Sequence, residues 1–84
     1  MNARLMQPIP ANRVRLVRGE GKRAPAVGDI GKTDQCFTGR DRRPMVMVYF
    51  VYFSVNGVSE REVEAYESEL EPTDDTPCAT NWEM

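Results

Sequence analysis

Asn56-Gly57, set between two apolar-rich runs, constrains this chain more than any other feature of its sequence. A two-residue Asn-Gly connection is the preferred type I′ hairpin turn, because both central residues need positive φ. It predicts that Met45–Val55 pairs antiparallel with the run that begins at Val58. In that register Val55 faces Val58, Phe50 faces Val63 and Val48 faces Ala65. The period of two then puts Val46, Val48, Phe50, Val63 and Ala65 on one face, the expected core. On the other face Met47, Tyr49, Val51 and Phe53 stand opposite Tyr66, Glu64, Glu62 and Glu60, an apolar stripe bordered by carboxylates. Two readings fit that stripe. A small, strongly coiled barrel buries its long strands partly on both faces, or the stripe is a contact surface for another protein or for a second copy in a homodimer.

The remaining signals are also those of strands. Arg13–Arg18 alternates as a half-buried strand with Val14 and Leu16 inward. Residues 19–25 form a loop by their Gly and Pro content, and Val27–Thr33 forms a second strand bent at its glycines. Residues 35–43 form a polar loop. Glu67-Ser68-Glu69-Leu70 is one helical turn, with Leu70 closing the core and Pro72 ending the unit. Residues 1–11, broken by Pro8 and Pro10, are expected to be a flexible tail, and residues 73–84 an acidic flexible tail. The folded part is therefore 12–72, close to the smallest domain that folds without metal or disulfides. The expected fold is all-β with very little helix, a small five-stranded SH3-like barrel with disordered tails at both ends.

Charge is sorted along the chain. The 84 residues carry a formal net charge of −2, but residues 1–43 hold ten Lys/Arg and four Asp/Glu (+6), and residues 44–84 hold one and nine (−8). The basic set is Arg13, Arg15 and Arg18 on the first strand, Lys22 and Arg23 on its loop, and Arg40, Arg42 and Arg43 before the hairpin. These arginines and lysine either pair with the acidic hairpin strand, or cluster as a patch that docks an acidic protein or a nucleic-acid backbone. No nucleotide loop fits. Ala26–Thr33 resembles a phosphate-binding loop, but Ala26 stands where that loop needs glycine, and no helix follows.

The chain contains no histidine, which excludes a His-based general base or metal site. The glutamates at 60, 62, 64, 67, 69 and 71 read as a solvated face, since hard-cation sites need a converging loop with backbone carbonyls. Nothing promises the apolar pocket a catalytic carboxylate pair requires; the expectation is no enzyme activity and no cofactor. The longest apolar run, Met45–Phe53, is nine residues, short of the roughly 20 that span a bilayer. The N-terminal residues lack the apolar stretch of a signal peptide. Two cysteines, Cys36 and Cys78, are too few for a secreted disulfide scaffold, so reduced thiols in the cytoplasm are expected. Trp82 reads either as a docking peptide or as part of a disordered tail.

Several segments, taken in order, resemble a known family. They are Val14-Arg15-Leu16-Val17-Arg18, Val27-Gly28-Asp29-Ile30-Gly31-Lys32-Thr33, Pro44–Phe50, Asn56-Gly57 and Tyr66–Glu71. The order is similar to that of the electron-transport accessory proteins, SH3-like barrels that include photosystem I reaction-centre subunit IV, the ferredoxin–thioredoxin reductase variable chain and the nitrogen-fixation protein NifZ. The resemblance spans about Arg13 to Pro72. It implies a cofactor-free accessory subunit that docks on a larger protein complex, with Arg15, Arg18 and Arg43 helping an acidic partner to bind. Barrels of the KOW type in ribosomal and transcription proteins share the basic first strand and the Gly-x-x-Gly segment, which gives the alternative of nucleic-acid binding through the same arginines. A sequence pI near 5.1 argues against that alternative.

Overall fold

The hairpin is the centre of the fold. A computed structural model of the chain describes residues 2–19, 24–54 and 57–75. In it the strands are β1 (Asn2–Leu5), β2 (Val14–Arg18), β3 (Ile30–Thr38), β4 (Pro44–Ser54), β5 (Gly57–Tyr66) and β6 (Leu70–Thr73). Two 3-10 turns, Ala11–Arg13 and Glu67–Glu69, precede β2 and β6. The strands form one antiparallel sheet in the order β2-β5-β4-β3-β1-β6. The fold is all-β, and no α-helix occurs among the described residues. None of them forms a helix long and apolar enough to cross a membrane.

The hairpin register differs from the predicted one by two residues. Phe50 pairs with Arg61, Val48 with Val63 and Val46 with Ala65, and the ladder runs out to Ser54 opposite Gly57. Gly57, at φ +120°, is thus the first residue of β5 and not the second residue of the turn. Val55 and Asn56 lie outside the described residues, and Val58, expected opposite Val55, pairs instead with Phe53. A shift of two keeps every side chain on its face, so the predicted core stands. Val46, Val48, Phe50, Val63 and Ala65 are all buried, joined by Leu5, Ile9 and Tyr52, with Val14 and Leu70 packed against them.

Five expectations need correction. Residues 1–11 are not a loose tail: β1 pairs with both β3 and β6, and Leu5 and Ile9 are core residues. Asn2-Ala3-Arg4-Leu5 alternates, so Ala3 and Leu5 are buried while Arg4 reaches out to Glu71 and Asp75. The sheet accordingly has six strands where five were expected, and no ladder joins its edge strands β2 and β6 among the described residues. The acidic tail begins later than residue 73, because Thr73 belongs to β6; residues 76–84 lie outside the described part. The second strand is displaced, running over Ile30–Thr38 and so into the first four residues of the predicted polar loop. Between Thr33 and Cys36 it carries one residue more than β4, a bulge that breaks the alternation. Finally, Val14 is inward but Leu16, opposite Arg61 on the edge strand β2, is exposed at 48%.

The two edge strands start from one point. Arg13, just before β2, forms a bidentate pair with Glu69, just before β6, at 2.7 and 2.8 Å. Glu69 also accepts the Tyr66 backbone N–H at 2.8 Å, which fixes the turn between β5 and β6. The Arg13 guanidinium holds the Glu69 carboxyl below its ordinary value of 4.5 against the opposing effect of burial. A depressed carboxyl contributes its stability above the unfolded pKa and loses it as pH falls through the folded one. Glu69→Gln is therefore expected to be about 2 kcal/mol less stable than the parent at pH 7. That gap should close as pH falls below about 4.5, which urea unfolding at a series of pH values measures.

Candidate docking surface

The basic residues do not form one patch. Arg13 is spent on Glu69, donates to the Glu64 carbonyl at 3.1 Å, and lies 4.9 Å from the centre of the Tyr66 ring. Its role is structural. Arg15 and Arg18 stand on β2 opposite Glu62 and Glu60. Arg15 pairs with Glu62 at 2.8 Å, with its own side chain 71% exposed and that of Glu62 only 10%. Arg18 is exposed, and its carbonyl accepts from Arg61 at 3.2 Å. Lys22 and Arg23 lie outside the described residues.

Arg40, Arg42 and Arg43 form a second, separate group on the turn between β3 and β4. That turn is closed by the Gly39 N–H to the Arg43 carbonyl at 2.9 Å, with Arg42 at φ +66°. Arg43 lies 4.0 Å from the centre of the Tyr66 ring, so this one ring meets two guanidiniums. The Tyr66 hydroxyl donates to Asp41 at 2.6 Å, which raises the phenol pKa and lowers that of Asp41.

The outer stripe is graded. Met47 and Tyr49 are half-buried, whereas Val51 and Phe53 are exposed, Phe53 at 76%. Tyr49 donates to Glu62, which raises the pKa of its hydroxyl. Arg15, Glu62 and Tyr49 thus form a polar row across three strands. Val51 has Glu60 as its cross-strand neighbour, and Phe53 has Val58.

Two features escaped the reading of the sequence. Leu16 and Val17, at 48% and 46%, make β2 an edge with exposed apolar side chains between arginines. A one-residue bulge at Val17 hides this, because it breaks the period of two. The second is a buried polar group of Asp29, Tyr52, Ser59 and Arg61, each at most 1% exposed. Asp29 accepts from the Tyr52 hydroxyl at 3.1 Å and from the Ala26 N–H at 3.0 Å. Burial raises the pKa of Tyr52 strongly, with Asp29 adding to it, and burial lowers that of Arg61. The signal was present: Ser59 and Arg61 share the parity of Val63 and Ala65, and Tyr52 that of Phe50.

Among the described residues no three of Cys, Asp and Glu gather as a metal-binding group. No protein-family model, no curated protein and no solved structure matches the chain.

Proposed function

We propose that this chain is a non-catalytic accessory module that docks onto a larger protein complex through the basic edge strand β2, its sheet curled in the manner of a small SH3-like barrel. The observation that carries the reading is the composition of that edge. Arg15 and Arg18 flank Leu16 and Val17, both nearly half exposed, and no strand pairs with the outer side of β2 among the described residues. An open edge offers backbone hydrogen bonds to an extended segment of a partner, and the arginines favour an acidic one. The curl is supported by the Arg13–Glu69 pair, which brings the starts of both edge strands together. An exposed Cys36 thiol suits a reducing compartment such as the cytoplasm.

A protein partner fits better than a nucleic acid. The carboxylates of β5 already face the β2 arginines, and Glu62 holds Arg15 at 2.8 Å. Any anionic partner has to displace them, and what favours a protein is the exposed Leu16 and Val17 beside an open backbone edge, which a phosphate backbone does not use. Arg15→Glu combined with Arg18→Glu is expected to cut partner capture at least tenfold; because the reversals place like charges opposite Glu62 and Glu60, capture is scored on the variant whose far-UV circular dichroism matches that of the parent. Undiminished capture by the double variant would remove β2 as the contact.

A further inference from the structure

Arg15 and Arg18 are three residues apart, so an unbroken strand would point them to opposite faces. In the sheet they stand opposite Glu62 and Glu60, which are only two apart on β5. β5 alternates without interruption against β4 from Gly57 to Tyr66, so Glu60 and Glu62 share a face. Residues directly opposite each other on neighbouring strands also share a face. The extra residue between Leu16 and Arg18 therefore brings both arginines to that one face. β5 shows what suits a strand beside β2: Glu60-Arg61-Glu62, two carboxylates separated by one residue.

The other side of β2 carries the same charges. No strand lies there among the described residues. The Arg15 side chain is 71% exposed, and Arg18 is exposed and makes no ion pair among the described residues. Between them in the ladder stands Leu16, opposite the buried Arg61 on the β5 side and still 48% exposed. An apolar neighbour on the free side would cover it.

We propose that β2 takes up an extended segment with two carboxylates two positions apart and an apolar residue between them. The carboxylates lie on Arg15 and Arg18, and the apolar side chain lies against Leu16. The inference rests on docking through β2 and names the chemistry of what docks. Backbone hydrogen bonds supply affinity in such strand addition, and alternate side chains supply selectivity. The incoming carboxylate takes Arg15 from Glu62, which keeps the Tyr49 hydroxyl as a donor. No buried carboxylate is left without a partner.

Fluorescence anisotropy with the full chain and two short labelled peptides tests the spacing. Both peptides have one composition, threonine and valine with two glutamates, so their net charge is equal. The glutamates are separated by one valine in the first and by two in the second. The first should bind about fivefold tighter, the worth of one surface charge pair. Arg18→Gln keeps the backbone carbonyl that Arg61 uses, and in that variant the two peptides should bind alike. Equal affinities for the parent chain would overturn the proposal, as would no binding by either peptide. So would a preference that persists in a folded Arg18→Gln variant. Each of these results leaves docking through β2 standing, whose own failure is undiminished capture by the Arg15→Glu, Arg18→Glu variant.

Discussion

Replacing Asp29 by alanine is expected to lower the unfolding free energy by about 3 kcal/mol or more, measured by urea denaturation. Domains of this size have totals near the low end of the usual 5–15 kcal/mol, so the variant should be largely unfolded in modest urea. The cause is local. Asp29 is fully buried and accepts from both the Tyr52 hydroxyl and the Ala26 N–H. Its removal withdraws a negative charge from a cluster that also holds the buried Arg61 cation. Tyr52→Phe removes only one hydroxyl and should cost about 1–2 kcal/mol. In the Tyr52→Phe background Asp29→Ala should then cost less than it does alone, because the two share a partner. Strict additivity would show that Asp29 acts on something other than Tyr52.

The second large effect is expected at Gly31. A Cβ there would stand 2.6 Å from the Tyr49 carbonyl oxygen and 2.7 Å from Val48 Cγ1. The first contact is to backbone in the middle of the sheet, where β3 and β4 cannot separate without losing their ladder. Gly31→Ala is therefore expected to cost about 3 kcal/mol by overpacking. Gly28→Ala is the matched control. Gly28 has φ +97° and open space around its missing Cβ, so its cost is backbone strain alone, about 1 kcal/mol. Thermal unfolding of the two variants should rank Gly31→Ala clearly below Gly28→Ala. The reverse order would mean that the sheet yields at β3.

The core was legible in the sequence because it depends on parity alone. A two-residue error in the hairpin register left Val46, Val48, Phe50, Val63 and Ala65 where they were expected. Parity also marks Arg61 as inward; only its charge argued otherwise, and Tyr52 shares its buried end of the hairpin. What could not be read were the interruptions of the period. The bulges at Val17 and after Thr33 each insert one residue, and so hid the exposed β2 edge and most of β3. β1 was missed because four residues followed closely by Pro8 and Pro10 carry too little pattern, although Leu5 and Ile9 supply core volume. Among the basic residues, composition could not separate Arg13, held by Glu69, from Arg15 and Arg18, which differ in the exposure of their side chains and not in their sequence neighbourhood.

Docking of a protein through β2 is the central claim. Its most direct test is affinity capture of the tagged chain from native lysate, with and without nuclease, beside the Arg15→Glu, Arg18→Glu variant, quantified by mass spectrometry. The account predicts a discrete protein that survives nuclease, binds with a shallow salt dependence and is lost with the two charge reversals. Capture that vanishes with nuclease, or falls steeply with salt as phosphate contacts require, would contradict it and turn the same arginines into a nucleic-acid surface.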